Sequence, residues 1–127
     1  MFDPDVQRAL ESTSLAHLAT VLPDGAPHVV PVFAGIHGDQ IAVFTGPNSV
    51  KAQNLRRDPR VALSIAPESN PFEPVAIRGT VVAWVEGDDA WEIIDRVAMP
   101  YIGGPYDRSL ERIVALITPE RQIVGVR

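Results

Sequence analysis

The chain contains no cysteine. Disulfide scaffolds, thiolate zinc sites, iron–sulfur clusters and cysteine nucleophiles are thereby excluded, and any redox chemistry has to come from a bound group. Lysine is almost missing too: Lys51 stands alone against ten arginines, so any role that needs a flexible ammonium group falls on it. Positive charge is in deficit, with a formal net charge of −5, which disfavours a phosphate-backbone partner, and no nucleic acid is expected. No apolar run approaches the length of a bilayer span, and the acidic start Met1-Phe2-Asp3-Pro4-Asp5 has no basic region ahead of an apolar stretch. A cytoplasmic protein without a membrane span is the expectation.

Chemistry-bearing residues are sparse as well. The three histidines, His17, His28 and His37, are not spaced to put two imidazoles on one metal ion, so no metal site is expected. No serine sits in a glycine-flanked elbow, which removes support for a serine hydrolase. Asp88, Asp89, Glu92 and Asp95 read as the start and solvated face of a helix rather than an acid/base cluster.

What is present is a core. With 127 residues, 46% of them hydrophobic, the chain suits one domain spanning 1–127. Asp3 and Pro4 open a short helix with Val6, Ala9 and Leu10 on one side, ending near Glu11 to Thr13. Leu15 to Leu22 reads as a strand stopped by Pro23-Asp24-Gly25, His28 to Ile36 as its hairpin partner, and Gln40 to Thr45, after Gly38-Asp39, as the third strand of a meander. Capping residues Gly46 to Ser49 precede a helix over Val50 to Arg57, ended by Asp58-Pro59. Arg60 to Ala66 and Val75 to Val85 are strands, the longer carrying Gly79 where a bulge is expected. Gly87-Asp88-Asp89 starts a helix through about Ala98, broken at Pro100. Leu110 to Ile117 and Gln122 to Val126 close the chain around Thr118-Pro119-Glu120. The pattern is mainly β with short helices, a six- or seven-stranded antiparallel barrel.

One stretch concentrates chemistry. From Phe44 to Val61 a strand end supplies hydroxyls at Thr45 and Ser49, meets a helix amino terminus with unpaired amides, and adds the ammonium of Lys51, a combination suited to an anion. A capped helix whose cations face water has the same pattern. Trp84, Trp91, Phe33, Phe44, Phe72, Tyr101 and Tyr106 could stack on a planar ligand, although most aromatics are core. On strand alternation His28 points away from the face that Val29 shares with Pro31.

The runs Leu18-Ala19-Thr20-Val21 and Asp24 to Val32, followed by Phe44 to Val61, resemble the pyridoxamine 5′-phosphate oxidase-like superfamily of FMN-binding split β-barrels. Within it the chain looks most like the deazaflavin-dependent oxidoreductases that use coenzyme F420. The likeness extends from about Leu15 to Trp84, and Asn54-Leu55-Arg56-Arg57-Asp58-Pro59-Arg60-Val61 is its most specific part. It implies a homodimer with cofactor sites at the subunit interface, and a small-molecule acceptor. Thr45, Ser49 and Lys51 match phosphate-contacting positions, Val30, Pro31 and Val32 match the strand along the ring, and Thr20 and Phe44 should lie nearby. Asn54 belongs to the same motif, and Arg56, Arg57, Arg60 and Arg78 are candidate partners for a longer polyanionic tail.

The departures are specific. Enzymes that make pyridoxal phosphate carry an arginine just before the lysine and a basic pair on the second strand, where this chain has Val50, Val30 and Gly35; a glutamine expected at the start of the long strand is Pro74. This argues against pyridoxamine phosphate oxidation and for the deazaflavin branch, whose cofactor carries the reactive hydride itself. His28, Tyr101 and Arg78 are the side chains that could protonate or polarise an acceptor. An FMN-binding oxidoreductase of the same fold, and a non-catalytic flavin- or haem-binding module, are the alternatives.

Overall fold

From its amino terminus the chain lays down α1 (Pro4–Glu11), β1 (Ala16–Val21), β2 (Pro27–Val32), β3 (Ala34–His37), β4 (Gln40–Thr45), α2 (Val50–Arg57), β5 (Arg60–Ile65), β6 (Val75–Val85), α3 (Gly87–Ile102) and β7 (Ile113–Val124) in the computed structural model, which describes residues 1–125. The seven strands form one sheet in the order β2-β1-β5-β6-β7-β4-β3, and each neighbouring pair is antiparallel. Its edge strands, β2 and β3, are consecutive in sequence and separated by Phe33 alone. The sheet therefore curls until its edges approach each other at that residue, giving the expected split barrel.

Burial explains the strand sequences. Strands β1, β2 and β5 alternate between covered and exposed residues, as expected where one face meets the core and the other meets solvent. By contrast β4 and the first half of β7 are buried on both faces. Ile41, Val43, Ala115 and Ile117 point into the barrel, while Ala42, Val114 and Leu116 pack beneath Ala90, Ile93, Ile94 and Val97 of α3. Hence the unbroken apolar run Ile113 to Ile117. Each fully buried Leu or Ile, such as Leu18, Ile41, Leu63, Ile77 and Ile117, contributes about 1.5–3 kcal/mol through removal from water.

Three expected elements are corrected. The apolar run His28 to Ile36 is two strands, because its first part pairs with β1 and its second with β4, on opposite edges of the sheet. The two closing strands are one: β7 passes through Thr118-Pro119-Glu120 without turning. There Pro119 lies opposite Gly79 at a register shift in β6, and a Cβ on Gly79 would sit 2.4 Å from the Thr118 carbonyl oxygen. The bulge thus accepts the residue that lacks an N–H, and only glycine allows the close approach. Of the expected strand to Val126, Val126 itself lies outside the described residues. Finally, α3 runs through Pro100 to Ile102 and ends at Gly103, φ 72°, since a proline in the last turn costs one hydrogen bond without removing the apolar face that anchors the helix.

Candidate functional site

Strand β4 ends at Thr45 and leads into the turn before α2. Ser49 caps that helix: its Oγ accepts the Ala52 amide at 3.1 Å and the Thr45 hydroxyl donates to the same oxygen at 2.8 Å. No acidic residue occupies the first turn of α2, which carries Lys51. The positive end of the helix dipole is left uncompensated. Among the described residues, the Val50 and Lys51 amides find no acceptor.

Pairing of β4 with β7 then supplies a second cation. Thr45 lies opposite Ile113, so Arg112 arrives beside Gly46, where a Cβ would be 3.5 Å from its Nη1. Lys51 and Arg112 line one cleft of about 320 Å³. Neither pairs with a carboxylate within ion-pair distance among the described residues. Burial, and then the charge of Arg112, push the Lys51 amine below its ordinary value. Two converging cations, with Asp107 near Arg112 but no carboxylate in ion-pair contact with either among the described residues, favour an anion between them.

The rest of the cleft is apolar. Pro31, Val32 and Phe33 form one wall, with Phe44, Tyr106 and Leu15 around them. Phe44 meets Phe33 at 6.0 Å and 70° and Tyr106 at 4.9 Å and 73°, both edge-to-face, an arrangement aromatic quadrupoles prefer. Strand β2, which contributes Pro31 and Val32 to the cleft, is an edge strand and pairs with β1 alone.

Of the residues singled out from sequence, the cleft gathers Pro31, Val32, Phe44, Thr45 and Lys51. Ser49 stands just behind them as the cap. Val30 turns its side chain toward the core. Thr20 is buried, and its hydroxyl accepts from the Asn54 amide at 3.0 Å; Asn54 in turn accepts from Arg57, which also donates to the Val21 carbonyl at 2.7 Å. That chain of bonds fastens α2 to β1. Arg56 donates to the Pro47 carbonyl at 2.6 Å and lies 5.3 Å over Trp84. Thr20, Arg60 and Arg78 border a different groove, of about 400 Å³, on the outer surface of β1, β5 and β6. His28 shares the inward face of β2, outside the cleft, with a buried Nδ1 that has no partner. Tyr101 stacks on Phe33 at 4.2 Å, and its hydroxyl is occupied by the backbone of Ala34 and Ser14; burial raises its pKa. Phe33 and Tyr106, named among the aromatics that could stack on a planar ligand, also line the cleft, and Arg112, Leu15 and Gly46 complete it without having been singled out. The β4–β7 register is what brings Arg112 to Lys51.

The family model for pyridoxamine 5′-phosphate oxidase matches residues 2–121. The chain belongs to that family. Among solved structures, an F420 reductase superposes with a TM-score of 0.81 at 26% identity, over 92% of this chain and 94% of that one. A conserved hypothetical protein from Mycobacterium tuberculosis gives 0.80 at 26% identity, over 98% and 84%. HupZ from Group A Streptococcus gives 0.72 at 16% identity, over 98% and 94%, a likeness of fold alone. No curated protein sequence matches the chain. The family includes oxidoreductases and binds flavin-type cofactors, which is the chemistry a cationic, aromatic cleft on a split barrel suits. Among the described residues no helix is long and apolar enough to cross a membrane.

Proposed function

We propose that this protein is an F420-dependent oxidoreductase that transfers a hydride between reduced deazaflavin and a conjugated small-molecule acceptor. The observation that carries the reading is the pairing of Lys51 with Arg112 at one end of an aromatic cleft bordered by an edge strand. Such a cleft fits a phosphate-bearing planar group. Its volume lies in the range of about 300–1,000 Å³ usual for ligand sites, its cations make no ion pair among the described residues, and its walls are largely apolar and aromatic.

In this reading Lys51, Arg112 and the α2 amino terminus hold the phosphate, while Pro31 to Phe33 and Phe44 orient the ring. Tyr106 and Leu15 keep water from it. When bound, the deazaflavin supplies the hydride from a ring carbon, and the chain's task is to bind, orient and exclude solvent. Similarity to the F420 reductase over nearly the whole chain supports the choice of cofactor. The exposed β2 surface, with Val29 58% exposed, supports a homodimer with cofactor sites near the interface. A cytoplasmic location accords with a diffusible cofactor.

Titration of F420 against purified protein tests the reading. Quenching of deazaflavin fluorescence at micromolar concentration is expected, and Lys51→Ala should weaken it by about ten- to a hundredfold, the value of a charge-assisted hydrogen bond. Tight retention of a yellow chromophore on purification, with no response to F420, would instead assign FMN to the same cleft.

A further inference from the structure

The segment between Gly103 and Ile113 contains Tyr106 and Arg112, both at the cleft, but no helix or strand. Among the described residues, every hydrogen bond tying it to the rest of the chain ends on one carboxylate. Asp95 of α3 accepts the Tyr106 amide at 3.1 Å, and its two oxygens take Nη1 and Nη2 of Arg108 at 2.5 and 2.6 Å. The other hydrogen bonds of the segment are local, from Ser109 to Asp107 and from Arg112 to Glu111. Arg108 also donates to the Tyr106 carbonyl at 3.0 Å and lies 4.4 Å over Trp91, one helical turn before Asp95. Both backbone polar groups of Tyr106 are thus held, directly or through Arg108, by α3. The fixed ring meets Phe44 at 4.9 Å and carries the Arg112 guanidinium at 5.9 Å.

We propose that Asp95 is a positioning residue for the cleft: without touching a ligand, it latches the Gly103–Ile113 segment so that Tyr106 closes the aromatic wall and Arg112 completes the anion site. This rests on the cleft binding a phosphate-bearing planar group. The bidentate pair is the strong form of an Arg–carboxylate contact, and a carboxylate that also accepts a backbone amide fixes the segment in position as well as in register. Release of the latch removes one wall and, with it, the Tyr106 ring that carries the Arg112 guanidinium, while the Arg112 backbone stays with β7.

Asp95→Ala, Asp95→Glu and, as a control, Asp107→Ala are to be compared with the parent by titration with F420 and with inorganic pyrophosphate. Acrylamide quenching of Trp91 is to be followed in a Trp84→Phe background. Asp95→Ala is expected to weaken both ligands about three- to tenfold, because the ion pair it breaks is partly exposed, and to raise Trp91 quenching. Asp95→Glu should recover part of the affinity, and Asp107→Ala, whose carboxylate hydrogen-bonds only within the segment and feels the charge of Arg112, should not weaken it. Affinity for both probes within about twofold of the parent in Asp95→Ala would overturn the proposal, and so would unchanged Trp91 quenching. If the parent binds pyrophosphate but neither F420 nor FMN, the cofactor reading fails while the latch is still decided by the pyrophosphate and quenching data. A parent that binds no pyrophosphate overturns the latch as well.

Discussion

Replacing Arg112 with methionine should move two quantities in opposite directions. Burial and the neighbouring guanidinium both hold the Lys51 amine below its ordinary value of 10.5. Arg112→Met removes the second cause, so Lys51 should titrate at a higher pH and stay protonated more firmly. The same substitution removes a charged donor from the cleft, and loss of one charge-assisted contact costs about 1.5–3 kcal/mol, or about ten- to a hundredfold in affinity for pyrophosphate. A better-charged Lys51 would accompany weaker anion binding. Because the chain has a single lysine, ¹³C labelling at lysine Cε gives one side-chain resonance whose titration reads Lys51 directly. Calorimetry with pyrophosphate reads the affinity. The sign of the stability effect follows too: a lysine whose folded pKa is depressed disfavours folding while charged, so stability rises as pH climbs from that pKa toward 10.5. Lys51→Met should accordingly melt no lower than the parent at neutral pH. Identical Lys51 titration in the parent and Arg112→Met, or equal pyrophosphate affinity, would refute the convergence of the two cations.

Two further outcomes test the framework. Gly79→Ala places a Cβ against the Thr118 carbonyl at 2.4 Å and should destabilise the protein by about 1–3 kcal/mol or more, seen as a lower urea midpoint; an unchanged midpoint would contradict the contact between the strands. The Asp58 carboxyl, bound by Arg60 through two guanidinium hydrogen bonds and one from its backbone amide, is held at about 2. Its stabilising contribution is complete above the ordinary 3.8 and is lost as pH falls through about 2. Carboxyl-carbon NMR should find the low midpoint in the parent and a higher one, still below 3.8, in Arg60→Ala, which keeps the backbone amide bond.

Elements with a local cause were legible in the sequence. Asp3 and Ser49 cap the first two helices, the Asp3 carboxylate accepting the Asp5 amide and Ser49 that of Ala52, because a cap is decided within a few residues. The division of the second apolar run at Phe33 was not legible. It arises from which strand each half pairs with, and the pairing partners are remote in sequence. Pro119 misled for a related reason: its turn propensity is overridden by a bulge that only Gly79, forty residues earlier, permits. The site divided in the same way. Lys51 and Thr45 sit in one contiguous motif, whereas the backbone of Arg112 reaches them through the Thr45–Ile113 register. Asn54 and Thr20, part of the same recognisable runs, bond to each other inside the protein, so a motif can mark a helix anchor as readily as a ligand contact.

The joining of both sheet edges through a single residue also makes tolerance to change uneven around the cleft. Pro31, Val32 and Phe33 form one wall of the cleft and, at the same time, belong to the seam on which closure of the barrel depends. Altering ligand preference there would disturb folding in the same stroke. The opposite rim, formed by the segment after α3, belongs to no strand and is moored at one carboxylate. Variation that retunes what the cleft accepts should therefore accumulate on that rim, leaving the seam untouched.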